Sequence, residues 1–317
     1  MNSATHATEI LPADADGIAQ AVACLRAGGV VALPTETVYG LAGDATQAQA
    51  VAAIYAAKNR PDFNPLIVHV ADRTMAEAHV HFSDAARAMA DRFWPGPLTL
   101  ILARKADSPI AAAASAGQAT LAIRCPAHPV MRQVIAELGR PLVAPSANAS
   151  GQISPTKASH VLKSLGGRIA YIVDGGPCAA GVESTIIAFE KDQPVILRHG
   201  AISADKLGII SEDSAARAPR DITAPGQLAS HYAPRQPLRL NAKTAAPDEY
   251  HIGFGPIAGD DNLSPSGNIE EAAAALFAAL HRAEDSGAPA IAVAPIPGEG
   301  IGKAINDRLA RAAAPRG

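Results

Sequence analysis

Two cations and an amide stand within seven residues at the end of an alanine-rich helical stretch: Lys58, Arg60 and Asn64. The helix must end before Pro61, because a residue that precedes proline is driven out of the α conformation. Cations at a helix end can simply balance the helix dipole. The stiff connector that follows leads straight into the apolar run Leu66–Val70, however, so we expect these side chains to bind an anion beside a strand end.

Hydroxyl and amide side chains follow two other predicted strands. The strand at 30–33 runs into Pro34–Leu41, which reads PTETVYGL, and the strand at 141–144 runs into the loop PSANASGQISPT at 145–156. Threonine is a common strand residue, so a single one carries little weight. Three polar residues in succession after a strand, closed by a glycine, are typical of ligand donors in a crevice.

A further set of charged and hydroxyl residues lies at the ends of three more predicted segments. Arg124 ends the apolar strand that starts at Thr120, Ser184 precedes a strand, and Arg198 ends another. An arginine in such a place is either a surface charge or a clamp for a carboxylate or phosphate. Because so many polar residues gather at segment ends, we expect one shared cleft, suited to a triphosphate and a carboxylate. A Walker lysine loop, a zinc-ligand spacing and a nucleophile elbow are all absent from the sequence.

The elements that must position these residues alternate along the chain without a strict strand–helix order. This pattern predicts an α/β fold whose twisted mixed sheet is flanked by helices. Linker composition follows residue 211, and a shorter β-α-β-α unit comes after it, which predicts a small Rossmann-like C-terminal domain. That unit contains no Gly-x-Gly-x-x-Gly, which argues against dinucleotide binding there. The predicted boundaries are 12–203 for the catalytic domain, 204–238 for the linker and 239–317 for the small domain. The main predicted helices are Asp14–Ala27, Ser83–Phe93, Val130–Leu138, Ile269–Glu284 and Gly302–Ala313.

The composition of the chain indicates the cellular compartment in which we expect it. The 317 residues are 48% hydrophobic with a net charge of −3, so a polyanion would have to be held by a local cluster. The three cysteines are odd in number and far apart, which favours a reducing compartment over a disulfide framework. The first fifteen residues do not read as a secretion signal, and no apolar run approaches membrane-spanning length. We therefore expect a cytoplasmic protein without a membrane partner.

The motifs resemble those of a known family. The chain is similar to the threonylcarbamoyl-AMP synthases of YrdC-like fold in PTETVYGL at 34–41, in Lys58-x-Arg60 with Asn64-Pro-Leu66, in PSANASG at 145–151, in DGGP at 174–177 and in EST at 183–185. The segments HYAP at 231–234 and AINDRL at 304–309 resemble the long, two-domain form of that family. The resemblance covers nearly the whole chain.

The resemblance implies a nucleotidyltransferase that condenses L-threonine, bicarbonate and ATP into L-threonylcarbamoyladenylate and pyrophosphate. Mg²⁺ would arrive with ATP, and no tightly held protein metal site is implied. The product would pass to a tRNA threonylcarbamoyl transferase, which modifies the adenosine next to the anticodon. By matched position, Lys58 and Arg60 would be catalytic. L-threonine would be held by Thr37, His69, Arg124, Ala144 and Ser184. ATP would be held by Arg60, Asn64, Thr120, Ser146, Asn148, Ser154, Arg198 and Tyr232.

Two other readings stay open at the level of the sequence. A positive cleft can also take a nucleic-acid backbone, so the chain could be an RNA-binding module without synthase chemistry. The net charge of −3 and the few aromatic residues argue against that reading, but weak RNA binding stays open. The other alternative is a carbamoyl transferase or hydrolase of the same fold.

Overall fold

The structure is a computed structural model that describes residues 7–209 and 231–315. Within 7–209 the strands join into one ten-stranded sheet. Its strands are β1 Glu9–Pro12, β2 Val31–Leu33, β3 Gly40–Asp44, β4 Ile67–His69, β5 Leu98–Ala103, β6 Thr120–Arg124, β7 Leu142–Val143, β8 Tyr171–Asp174, β9 Thr185–Glu190 and β10 Gln193–Arg198.

Helices connect and cover these strands. In the first unit they are α1 Ala15–Arg26, α2 Ala48–Lys58, α3 Arg73–Glu77, α4 Asp84–Phe93, a 3-10 turn at Ala112–Ser115, α5 Pro129–Leu138, α6 Ala158–Leu165 and α7 Ala204–Leu207. Helix α2 ends before Pro61, as the sequence predicts, and its C-cap Asn59 takes the left-handed conformation with φ 50°. The Asp14 side chain caps α1 by accepting from the Gly17 N–H at 2.9 Å.

The predicted mixed sheet is confirmed. Its strand order is β1-β8-β2-β3-β7-β4-β6-β5-β9-β10. Strands β4 and β6 are parallel, whereas β7 runs antiparallel to both of its neighbours, β3 and β4. Because parallel strands end at the same edge of a sheet, β4 and β6 bring their last residues together.

Buried residues cover both faces of the sheet. Along β2, Val31 and Leu33 point to a core that they share with α1 and α5, while Ala32 points to the opposite core with Val51 and Ile54 of α2. Alternate residues of a strand face opposite sides, so this central strand is apolar throughout. The two packed faces hold the strand ends in fixed relative positions.

The second unit, 231–315, contains a parallel sheet with the order β11-β14-β12-β13. Its strands and helices are β11 Leu238–Arg239, β12 Glu249–Gly253, β13 Asp261–Asn262, α8 Ile269–Asp285, β14 Ala290–Val293 and α9 Gly302–Ala313. This is the small Rossmann-like layer that the sequence predicts. Phe277 of α8 belongs to one buried cluster with Val38, Ile153 and Val182 of the first unit, so the two units share a core.

The predicted domain boundaries stay a prediction, and the structure adds two facts that bear on them. Strand β1 pairs with β8 from Glu9 onward, three residues before residue 12. Leu207 and Ile209, beyond residue 203, pack into the core of the first unit. Much of the predicted linker, 210–230, lies outside the described residues. None of the helices in 7–209 and 231–315 has the length and apolar character needed to span a bilayer.

Candidate active site

The polar residues at the strand ends line one cavity. The empty space between its walls, including the part that opens to solvent, is about 560 Å³. The predicted site residues in its wall are Thr37, Arg60, His69, Arg124, Ala144, Ser146, Ser184, Arg198 and Tyr232. Thr35, Glu183 and His231 also line it. The single cleft expected from the sequence is therefore present.

The other predicted residues lie outside the cavity wall. They are Lys58, Asn64, Thr120, Asn148 and Ser154. Lys58, Asn64, Asn148 and Ser154 are buried behind the wall, and Thr120 is half-buried at the start of β6. A ligand would reach these five side chains only at the margin of the cavity or after local movement.

Sheet register sets the geometry of one half of the cavity. His69 and Arg124 are direct partners across β4 and β6. The Ala144 N–H donates to the Ile67 carbonyl at 3.0 Å, which holds the end of β7 against β4. The residues that the resemblance assigns to threonine thus come from adjacent strand ends.

Arg124 is a buried cation at the centre of a polar cluster. Only 3% of the residue is exposed, so the surface-charge reading of Arg124 is wrong. Its Nε donates to the Gly96 carbonyl at 3.2 Å, one terminal nitrogen donates to Thr37 Oγ1 at 3.0 Å, and the other lies 2.6 Å from Glu36 Oε1. Burial alone would raise the pKa of Glu36, but the charge and hydrogen bond of Arg124 outweigh burial and lower it.

His69 stands beside Arg124 as a neutral imidazole. Its Nδ1 lies 3.1 Å from the Ile67 carbonyl oxygen, which only accepts hydrogen bonds, so Nδ1 carries the proton. Burial, and then the charge of Arg124, lower the pKa of His69 to about 3. At neutral pH, Nε2 is therefore available as an acceptor.

Arg60 and Asn64 lie on the connector between α2 and β4 that the sequence analysis singles out. The guanidinium of Arg60 donates to the carbonyls of Asn64 at 3.3 Å and Pro65 at 3.0 Å, which points it into the cavity wall. Burial lowers the pKa of Arg60 to about 10, so it is still charged at neutral pH. The Asn64 side chain is fully buried, and neither Nδ2 nor Oδ1 has a hydrogen-bond partner among the described residues. A buried amide left unpaired suggests that a ligand completes it.

Lys58 joins the two motifs that the sequence separates by almost ninety residues. The residue is 1% exposed, and its side-chain Nζ donates to the carbonyls of Ser146 and Asn148. The Ser150 N–H in turn donates to the Lys58 carbonyl at 2.8 Å. Burial, followed by repulsion from Arg60, holds the pKa of Lys58 well below its usual value. In this structure Lys58 supports the Ser146 loop from behind and does not face the cavity.

Ser184 and Arg198 connect the residues assigned to threonine with the residues assigned to ATP. A terminal nitrogen of Arg198 donates to the Ser184 carbonyl at 2.8 Å and to its hydroxyl at 3.1 Å. That hydroxyl also lies 2.7 Å from Thr99 Oγ1. Burial lowers the pKa of Arg198 to about 10, so its charge persists at neutral pH. A residue assigned to threonine is thus bonded to a residue assigned to ATP.

Three charged residues of the site are missed by the sequence reasoning: Glu36, Glu183 and Arg308. Glu183 accepts a hydrogen bond from Ser154 Oγ at 2.7 Å and lies 2.9 Å from Arg308 Nε. All three fall inside motifs quoted above. Glu36 and Glu183 are each the single charged residue of their motif, whereas Arg308 follows Asp307 in AINDRL. In the described residues, no group of three or more His, Cys, Asp or Glu side chains is placed to hold a metal ion.

Two family models match the chain. The Sua5/YciO/YrdC family model, described as telomere recombination, covers residues 23–200. The model for the threonylcarbamoyl-AMP synthase C-terminal domain covers residues 195–314. Together they span both units of the fold.

Proteins named threonylcarbamoyl-AMP synthase match this chain over nearly its full length. The Bacillus subtilis threonylcarbamoyl-AMP synthase is 40% identical, covering 98% of this chain and 96% of its own. The Pyrococcus abyssi threonylcarbamoyl-AMP synthase is 36% identical over 91% of each chain. Among solved structures, P. abyssi Sua5 complexed with L-threonine superposes with a TM-score of 0.87 at 33% identity, covering 96% of this chain and 98% of that one.

More distant structures share the fold alone. A HypF structure in a phosphate- and nucleotide-bound form has a TM-score of 0.52 at 20% identity and covers 58% of this chain. The comparisons support the synthase reading and neither the RNA-binding module nor the carbamoyl transferase or hydrolase. The chain belongs to the threonylcarbamoyl-AMP synthase family, in its long form with both the YrdC-like and the C-terminal domain.

Proposed function

We propose that this chain condenses L-threonine, bicarbonate and ATP into L-threonylcarbamoyl-AMP and releases pyrophosphate. The observation that carries the proposal is the convergence of Arg60, Arg124 and Arg198 on one cavity, whose wall also contains the carboxylate of Glu183 and several neutral donors and acceptors. Such a set suits a nucleotide and an amino acid together, because charge-assisted hydrogen bonds contribute about 1.5–3 kcal/mol each. Family membership gives the reaction.

Threonine would occupy the half of the cavity formed by Thr37, His69, Arg124, Ala144 and Ser184. A guanidinium has five N–H donors, and the contacts of Arg124 with Gly96, Thr37 and Glu36 use three of them. The two that are left would take the substrate carboxylate. The neutral Nε2 of His69 would accept from the threonine amine or hydroxyl. The Ala144 backbone would define the end of this half.

ATP would occupy the half of the cavity whose wall includes Arg60, Ser146, Arg198 and Tyr232. The other residues assigned to ATP lie outside that wall and would reach the nucleotide only at its margin or after local movement: Asn64, Thr120, Asn148 and Ser154. The two arginines would offset phosphate charge. Among the residues that the structure describes, neither the side-chain amide of Asn64 nor Oδ1 of Asn148 has a hydrogen-bond partner, and a nucleotide could satisfy these atoms. Lys58 would act by holding the Ser146 loop in place, and its role in catalysis would be through that loop.

The chemistry requires alignment and charge neutralisation more than an acid or a base. The threonine amine forms a bond to the carbon of bicarbonate with loss of water, which gives a carbamate. A carbamate oxygen then attacks the α-phosphorus of ATP, and pyrophosphate is the leaving group. The Ser184–Arg198 contact lies where the two substrates would meet. Mg²⁺ would enter with the nucleotide, since this ion is commonly bound through substrate phosphates and offsets their charge.

The adenylate would then pass to a tRNA threonylcarbamoyl transferase, and we propose a cytoplasmic location for this exchange. Direct RNA binding by this chain would be weak, because the net charge is −3.

The test is pyrophosphate release from ATP in the presence of bicarbonate and each amino acid in turn. We expect release that depends on threonine and on bicarbonate, with serine as the nearest competitor. Release that is the same with and without threonine would count against the synthase activity. An amino acid other than threonine as the best substrate would refute the specificity.

A further inference from the structure

A cation of the second unit reaches the wall of the cavity in the first. Arg308 lies on α9, its residue is 0% exposed, and its Nε is 2.9 Å from Glu183 Oε2 across 125 residues of sequence. A terminal nitrogen of Arg308 also contacts Asp307 Oδ2 at 2.7 Å. The described part of the second unit thus contributes a fully buried charge to the first.

The carboxylate of Glu183 needs a positively charged partner, and Arg308 is that partner. Glu183 is a carboxylate in the wall of a cavity whose other charges are cationic, and 7% of the residue is exposed. Burial raises the pKa of Glu183, but the charges of Arg308 and Arg198 outweigh burial and lower it, so the carboxylate is ionised. An ionised and unpaired carboxylate in a poorly hydrated site would repel a triphosphate.

Arg308 also fixes two residues that are assigned to ATP. The Ser154 hydroxyl donates to the other oxygen of Glu183 at 2.7 Å, so the carboxylate that Arg308 orients also orients Ser154. The guanidinium carbon of Arg308 lies 5.4 Å from the ring centroid of Tyr232, within the range of a cation–π contact. Tyr232 is buried and lines the cavity.

We propose that Arg308 is a positioning residue for the nucleotide: it neutralises Glu183 and holds Ser154 and Tyr232 in the geometry that accepts ATP. This inference rests on the proposed function. It gives the C-terminal unit an electrostatic part in the reaction, beyond covering the cavity. If α9 served only as packing, loss of Arg308 would lower stability and affect both substrates alike.

The test compares Arg308→Met and Arg308→Lys with Lys303→Met, which removes an exposed cation from the same helix. The readouts are the KM values for ATP and threonine in pyrophosphate release, and ATP affinity by calorimetric titration without threonine. We expect R308M to raise the ATP KM by about tenfold or more, the range of one charge-assisted contact. The threonine KM should change by less than about threefold. R308K should fall between R308M and the wild type, and K303M should match the wild type.

A double-mutant cycle with Glu183→Gln isolates the charge effect. Glutamine keeps an acceptor for Ser154 but has no charge to neutralise. In the E183Q background, R308M should therefore raise the ATP KM by only about threefold or less. An unchanged ATP KM in R308M, equal changes for both substrates, or the same R308M effect in both backgrounds would each overturn the inference.

Melting temperatures separate folding from function. If R308M does not fold, R308K decides the question, because equal increases in its ATP and threonine KM values would overturn the inference. If the wild type released no threonine-dependent pyrophosphate, the proposed function would fail. Calorimetric titration with ATP would still test Arg308 in that case, so the two failures are distinguishable.

Discussion

Glu36 Oε1 lies 2.6 Å from a terminal nitrogen of Arg124, and this ion pair fixes the arginine before any ligand arrives. The Gly96 carbonyl and Thr37 hydroxyl hold the other edges of the guanidinium. An arginine that is already oriented loses little side-chain entropy when a carboxylate binds. Because its charge is largely offset by Glu36, Arg124 would select its ligand by geometry more than by attraction.

Replacement of Arg124 by alanine should raise the threonine KM more than the ATP KM, since its remaining donors face the half of the cavity proposed for threonine. The same change should lower stability by about 3 kcal/mol, because it leaves the carboxylate of Glu36, whose side chain is only 14% exposed, without its partner. Steady-state kinetics and urea unfolding measure the two effects. A larger increase in the ATP KM would show that the anion assigned to Arg124 is wrong.

The double variant R124A/E36Q separates these effects. It removes the uncompensated carboxylate, so stability should return most of the way to the wild type. The threonine KM should stay high, because the donors for the substrate are still missing. Recovery of both quantities together would mean that the single variant acted only through misfolding.

Arg60 and Lys58 should respond differently to substitution by methionine. The Arg60 guanidinium lines the cavity, so R60M should lower kcat/KM by about tenfold or more with a small change in melting temperature. Lys58 bonds two carbonyls behind the cavity, so K58M should lower both activity and melting temperature. Measuring both variants in parallel is the test. A K58M protein with wild-type stability would place the ammonium group of Lys58 on the ligand instead.

Asn64→Leu should leave the free protein as stable as the wild type, or more stable. The reason is that the buried amide has no hydrogen-bond partner among the described residues, while leucine has a similar volume and no polar atoms to desolvate. The ATP KM should rise by about tenfold, because a nucleotide would lose the amide. Thermal unfolding without ligand and kinetics with ATP check the two parts. A clear loss of stability in the free protein would contradict this account.

Stability should fall as the pH is lowered, partly through two stacked imidazoles. The rings of His160 on α6 and His281 on α8 lie 3.8 Å apart. Burial, and then the charge of His281, lower the pKa of His160 to about 3, and burial lowers the pKa of His281 to about 4. Both values lie below the usual 6.5. The unfolded chain therefore holds more protons in this window, and the free energy of unfolding decreases from about pH 6.5 downward.

The variant His160→Gln should reduce the number of protons taken up on unfolding by nearly one between pH 6 and pH 4. Urea unfolding at several pH values gives the slope. The wild-type protein, measured in parallel, gives the reference slope. An unchanged slope in H160Q would mean that the stacked pair does not contribute to acid unfolding.

Local sequence patterns were sufficient to predict most of the helices and strands and the strand ends at which the cleft lies. Periodicity and the Pro61 rule predict the end of α2, and capping by Asp14 agrees with the predicted start of α1. The short edge strands β1, β11 and β13 were not predicted, because segments of two to four residues have too little alternation to stand out. The order of the strands in the sheet could not be predicted from the sequence either. Strand β8 lies between β1 and β2, although it follows β2 by well over a hundred residues.

The sequence by itself determined the family, the two-unit α/β organisation and the residue types of the site, because motifs and periodicity are local properties of the chain. Only the tertiary structure decided which polar groups are already bonded to one another. It pairs Glu36 with Arg124, places Lys58 behind the cavity and joins Glu183 to Arg308, while Asn64 is left without a partner among the described residues. Hydrogen bonds and ion pairs depend on distances of about 3 Å between atoms, and those distances are set when distant segments pack.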